Sequence, residues 1–92
     1  MPHTVKDKAG LLARVRRLKG QMEAVERGLE AELGCADILM LVASVRGAVN
    51  GLTAELMEDH IRHHVVDPDR EPDAGRAKGA AELIAVVRTY MK

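Results

Sequence analysis

Apolar residues recur every three or four positions along most of this chain, and the recurrence divides it into three helical stretches. Leu11, Val15, Leu18, Met22, Val25 and Leu29 step by 4, 3, 4, 3 and 4, a heptad spacing that draws a narrow seam along one side of a helix. The first predicted helix covers about residues 5–31, with Thr4 and Asp7 as an N-cap pair and Gly34 as its stop. Gly10, Gly20 and Gly28 each cost about 1 kcal/mol relative to alanine inside a helix, so packing rather than propensity must hold it. Ile38, Val42, Val45, Val49, Leu52 and Leu56 continue the spacing through a second helix, about 35–66. Its centre is small or polar (Gly47, Ala48, Asn50, Gly51), which would let another backbone approach closely. A third helix, about 77–91, carries Ala80, Leu83, Ile84, Val87 and Met91 on one face. Between them DPDREPDAGR, residues 67–76, reads as an acidic, mobile loop. No strand-period run and no repeat interrupts this pattern. The expected fold is all-α, a single helical domain over 1–92. Its apolar stripes exceed what one small bundle can cover, which implies an oligomer.

Composition narrows the classes. The core must be aliphatic, because the 92 residues include no Phe or Trp and one Tyr. The lone Cys35 permits no internal disulfide and fits a reducing, cytoplasmic setting. The charged N-terminus lacks the apolar core of a signal peptide. With no run near 18 uninterrupted apolar residues, no membrane span is expected. The net charge of zero conceals segregation: residues 1–27 carry net +4, 28–75 net −7 and 76–92 net +3. Basic ends around an acidic middle point weakly to an anionic partner.

The candidate chemistry sits at the two ends of the second helix. Cys35 opens it, and His60, His63 and His64 close it. His60 and His64 are one turn apart on one face and can chelate one ion, while His63 lies one residue off that face and is a possible additional ligand. Taken singly, each has a plainer reading. The histidines complement a helix C-terminus, Cys35 packs as a small hydrophobe, and His3 is a surface residue near a terminus. Together they pose a geometric problem, because the 25 steps from Cys35 to His60 span roughly 37 Å at 1.5 Å per residue. One straight helix cannot join its own thiol to its own imidazoles. Two copies crossing antiparallel near residues 48–49 would do so, giving two equivalent sites per dimer, and His3 could close over such a site. One thiolate with two or three imidazoles suits Co(II), Ni(II) or Zn(II) better than Cu(I).

Arg14, Arg16, Arg17 and Lys19 crowd part of the first helix. Such a run is ordinarily a solvated face. If it binds nucleic acid, phosphates and groove shape are its targets, because no helix-turn-helix pattern, zinc-finger spacing or interleaved aromatics accompany it.

RVRRLKGQMEAVERGLE on the first helix, Cys35, VASVRGAVNGL in the second and His60 with its neighbours resemble the CsoR/RcnR-like family of bacterial metal- or formaldehyde-responsive repressors, over nearly the whole chain. The resemblance implies a three-helix protomer, an antiparallel dimer and pairing of dimers into a tetramer. It also implies operator DNA that is released when an effector fills the Cys/His site, so that an exporter or detoxifying gene is derepressed. In the nickel/cobalt branch the ligands correspond to His3, Cys35, His60 and His64, all present here. The copper branch would need a second cysteine near His64, which this chain lacks.

The formaldehyde branch resembles this chain in Pro2, whose amine is joined to Cys35 through a methylene group. Pro2 departs from the usual nickel/cobalt start, and His64 departs from the usual formaldehyde sensor. A chelating histidine pair needs a reason, so Ni(II) or Co(II) sensing is the first expectation and formaldehyde sensing through Pro2 and Cys35 the second. A metal-binding protein without a DNA role is the third. No nucleophile–base–orienter set is present, and no enzyme activity is expected.

Overall fold

The computed structural model describes residues 7–91. It is all-helical: α1 spans Lys8–Glu30, α2 Cys35–His64 and α3 Ala74–Tyr90, and α2 packs against both of the others. Thr4 lies outside the described residues. Asp7 stands at the N-cap of α1 without a side-chain capping bond.

The turn between α1 and α2 is not made by Gly34. Glu32 takes the left-handed conformation, with φ 56°. Its N–H donates to the Leu29 carbonyl at 3.1 Å, and the Leu33 N–H donates to the Gly28 carbonyl at 3.0 Å. This pair of backward bonds is a Schellman ending. Gly28 is buried beneath it: a β-carbon there would stand 2.9 Å from Ile38 Cδ1 and 3.2 Å from the Cδ1 atoms of Leu33 and Leu41. Gly28 therefore lets α2 approach α1 closely, while Gly34 serves as the N-cap of α2.

At the other end α2 stops at His64, and α3 begins at Ala74, ahead of the expected 77. Asp73 is the reason. Its Oδ1 accepts from the N–H groups of Gly75 (2.9 Å) and Arg76 (3.2 Å), satisfying two of the donors that a helix start leaves unpaired. The connection expected to be a mobile loop is tied down. Asp67 accepts from Arg70 and Glu71 through its carbonyl, and Arg62 bonds both Asp67 and Asp69.

The heptad stripes split when the helices pack. On α1, Leu11, Leu18 and Val25 are half-buried, whereas Val15, Met22 and Leu29 are exposed. On α2, Ile38, Val45 and Leu52 turn inward while Val42, Val49 and Leu56 stay exposed. The buried core is small: Ala54, Ile61, Ile84 and Val87, with Met91 packed on it. Ala80 is also buried, but Leu83, expected on the same face, is exposed.

The shape follows. The chain measures 57 × 27 × 12 Å with a radius of gyration of 17.3 Å, against about 12 Å for a compact globule of this length. Its thin dimension is one helix diameter. Its accessible area of 6678 Å² exceeds by roughly 1,400 Å² what a compact monomer of this mass exposes. The outward half of the stripes, Val15, Met22, Leu29, Val42, Val49 and Leu56, is part of that exposed area. By length and hydropathy α2 would even qualify as a membrane span, with an 18-residue window averaging 1.4. The expectation that no segment comes close to one rested on uninterrupted apolar runs, whereas α2 reaches this value with Arg46 and Asn50 in its middle.

Candidate metal and DNA sites

Cys35 is exposed at the first residue of α2. At roughly 100° of turn per residue, Leu39, Val42, Val49, Leu56, His60 and His64 fall on the same face as Cys35, within about 60° of its midline. All of them are exposed. One outward row, largely apolar but with the exposed Arg46 within it, thus begins at the thiol and ends at two imidazoles. Thr53 lies in this row, and its hydroxyl donates to the Val49 carbonyl at 2.9 Å, so it asks little of the surroundings.

The His60 and His64 rings sit with centroids 5.0 Å apart and planes tilted by 35°. That spacing lets two ring nitrogens converge on one ion at the usual distance of about 2.0–2.1 Å. His63 leaves the helix about 100° from His64, and both line an open cleft with Asp67, Arg70 and Glu71. Among the described residues no three His, Cys, Asp or Glu side chains converge into a metal-holding group. His3 and Pro2 lie outside the described residues. One protomer therefore offers a bidentate imidazole pair at one end of α2 and a thiol at the other. The donors present fit a borderline divalent ion only if a second chain completes the set.

The glycines at the centre of α2 do not lie on this row. Gly47 and Gly51 project more than about 100° away from Cys35. Nothing approaches a β-carbon position at Gly47, and at Gly51 the nearest atom is Arg14 Nη1 at 3.4 Å. A helix crossing built on the Cys35–His64 face would rest on Val49, not on the glycines.

The basic run on α1 divides as well. Arg16, Arg17 and Lys19 are exposed, while Arg14 reaches across to α2 and pairs with Glu55 at 3.0 Å. Glu55 also lies 3.9 Å from Arg88 of α3, which pairs with Glu58 at 3.2 Å. Glu58 in turn accepts from Arg62 Nε at 2.9 Å. The bond to Glu58 raises Arg62 above its ordinary pKa, and the charge of Asp69 adds to it. Asp67 is lowered, first by the Asp69 N–H that it accepts and then by Arg62. Sequence reading singled out none of Glu55, Glu58, Arg62 and Arg88. Glu58 and Arg62 were visible as an i, i+4 pair, but the links to α1 and α3 join residues more than 25 positions apart and leave no local signal.

Comparison with known proteins agrees with this architecture. Residues 7–89 match the family model described as metal-sensitive transcriptional repressor. An uncharacterised protein from the bioA 5′ region of Serratia marcescens is 49% identical over 92 residues, covering the whole of both chains. The transcriptional repressor RcnR of Salmonella paratyphi B is 36% identical, again over both full lengths. Among solved structures, a glutamate-to-histidine variant of the formaldehyde-responsive regulator FrmR from Salmonella enterica serovar Typhimurium is 46% identical, with a TM-score of 0.66 over 97% of this chain and 99% of that one. With its three helices, its Cys/His ends and these matches, the chain belongs to the metal-sensitive transcriptional repressors of the CsoR/RcnR family.

Proposed function

We propose that this chain is a cytoplasmic repressor that leaves its operator when Ni(II) or Co(II), with Zn(II) as a further candidate, binds between two copies, derepressing a metal efflux gene. The observation that carries this reading is the outward row of α2, with Cys35 at its start and the facing His60 and His64 rings at its end. An antiparallel pair of α2 helices would set Cys35 of one copy beside His60 and His64 of the other, with His3 as a fourth ligand and His63 in reserve. The bound ion would supply the cross-link between subunits. The rest is the work of the chain: Arg16, Arg17 and Lys19 contact phosphates, and ligation by His3 shifts the start of α1 that carries them. Val15, Met22 and Leu29 leave apolar surface for pairing dimers into a tetramer. Effector and DNA then oppose each other, and linkage requires DNA to weaken effector binding by the same factor.

A second reading is a formaldehyde-responsive repressor that captures the aldehyde with the Pro2 amine and Cys35. What favours it is the 46% identity to the FrmR variant, above the 36% to RcnR. What opposes it is His64, which has no part in aldehyde capture. Membership of a family of transcriptional repressors leaves metal storage without a DNA role unsupported.

The test is fluorescence anisotropy on a duplex enriched from a random-sequence pool by the apo protein. Ni(II) or Co(II) should lower its affinity at least tenfold, and formaldehyde should leave it unchanged. Release by formaldehyde alone would establish the second reading and refute the first.

A further inference from the structure

An alternating series of charges links the three helices: Arg14 to Glu55, Glu55 to Arg88, Arg88 to Glu58, Glu58 to Arg62, and Arg62 to Asp67 and Asp69. Its first member comes from the basic run of α1. Arg14 lies in a cleft lined by Gly51, Ala54, Arg88 and Met91, and Gly51 makes room for it. Any side chain longer than alanine at position 51 would meet the guanidinium, which already stands 3.4 Å from a β-carbon position there.

A carboxylate and a phosphate offer a guanidinium the same thing, two anionic oxygens in fork geometry. They therefore compete for Arg14. The competition is winnable by either side, because the pair is only partly shielded: the Arg14 and Glu55 side chains keep 40% and 24% of their exposure, and exposed pairs are weak. We infer that Glu55 is a positioning residue that stands in for a DNA phosphate, holding Arg14 against α2 and out of reach of DNA. DNA binding exchanges Glu55 for a phosphate oxygen, and any change that strengthens the Arg14–Glu55 pair releases DNA. The other end of the series is anchored by Arg62 beside His63 and His64, so a shift at the end of α2 reaches Glu55 through Glu58 and Arg88. This rests on the repressor reading above.

The experiment measures affinity and its salt dependence for the full-length protein on the enriched duplex, comparing wild type, Glu55→Gln, Arg14→Ala and the double variant. Glu55→Gln should tighten binding by up to about fivefold per DNA-bound protomer and steepen the log–log salt slope by about 0.9 for each additional phosphate neutralised. Arg14→Ala should weaken binding, and adding Glu55→Gln to it should change nothing further. Unchanged or weaker binding by Glu55→Gln, with helix content and assembly intact, overturns the inference while leaving the repressor reading in place. If Glu55→Gln loses helix content, Gly51→Leu decides: it lifts Arg14 by steric contact, and absence of tightening there overturns the inference. If the wild-type protein enriches no duplex at all, the repressor reading itself fails, and this inference with it.

Discussion

The proposed shared metal site makes a prediction about mixtures that no single variant can make. Cys35 and His60 are 25 residues apart on one unbroken helix, roughly 37 Å along its axis. Metal–sulfur and metal–nitrogen bonds of about 2.0–2.3 Å require the ligand atoms to lie within about 5 Å of one another. A site within one chain is therefore excluded by nearly an order of magnitude in distance, and a site across a two-fold axis must take its thiol and its imidazoles from different chains. Cys35→Ala alone leaves every site without sulfur. His60→Ala combined with His64→Ala leaves every site without its imidazole pair. Refolded together in equal amounts, half of the dimers are mixed, and each mixed dimer has one intact site and one empty of both ligand types. About a quarter of the wild-type number of sites should return.

The thiolate-to-Co(II) charge-transfer band measures this directly. Neither variant alone should show a wild-type band at micromolar cobalt, and the mixture should regain about a quarter of its intensity. Wild-type protein taken through the same refolding serves as the reference. No recovery in the mixture, with recovery in that reference, would refute the antiparallel shared site. A full band in the double-histidine variant would remove His60 and His64 from the site altogether.

Further expectations concern single positions. Glu32 occupies a left-handed conformation that costs a side-chain-bearing residue about 1–2 kcal/mol, so Glu32→Gly should stabilise the fold by about 0.5–1 kcal/mol after glycine's own entropy is counted; urea unfolding at fixed protein concentration checks this. Asp73→Ala should cost about 1 kcal/mol and raise amide exchange selectively in the first turn of α3. Val49→Asp should break the dimer in sedimentation, whereas Gly47→Ala should leave it intact and gain up to about 1 kcal/mol; dissociation by Gly47→Ala would return the crossing to the glycines. The Asp67 carboxyl is held below its ordinary value when folded. Its contribution is therefore complete above about pH 4 and is lost as pH falls through the lowered folded value. Asp67→Asn should flatten the acid-side loss of order in residues 67–71, followed by amide exchange from pH 5 downward.

The helices were legible because 3- and 4-residue spacing is imposed by the helix itself, whatever packs on it. Which half of each stripe faces inward was not. Val42 and Val45 are indistinguishable in the sequence, yet one is exposed and the other half-buried, because the choice belongs to the angle at which α1 crosses α2. The α1 stop was misplaced for a related reason. Gly34 looked like the residue for a left-handed turn, but the close approach of Gly28 to Ile38 and Leu41 fixes where the chain must reverse, and Glu32 falls there. That Cys35, His60 and His64 share one outward face of α2 was legible from their spacing; whether they form one site is the subject of the mixing experiment. Arg14 was grouped with Arg16 and Arg17 by adjacency alone. Its ion pair with Glu55, 41 positions away, depends on three helices meeting and could not be read from any window of the chain.

That ion pair changes how the two proposed sites relate. Had all four basic residues of α1 pointed to solvent, metal at the ends of α2 could affect DNA only by moving the whole of α1. With Arg14 bound to Glu55 and Arg62 bound to Glu58, α2 already holds one basic residue of α1 in place and has its far end tied to the loop beside His63 and His64. A displacement of one helical turn is then unnecessary, since a partly shielded ion pair is made or lost within a side chain's reach. The thin slab of helices, which leaves half of each apolar stripe outward, suits the same economy. The outward face of α2 carries Cys35, His60 and His64, the proposed metal ligands, and a different face carries the charges of Glu55, Glu58 and Arg62. On the proposed reading, effector and DNA act on separate faces of one helix, and they oppose each other because Glu55 and a phosphate compete for Arg14.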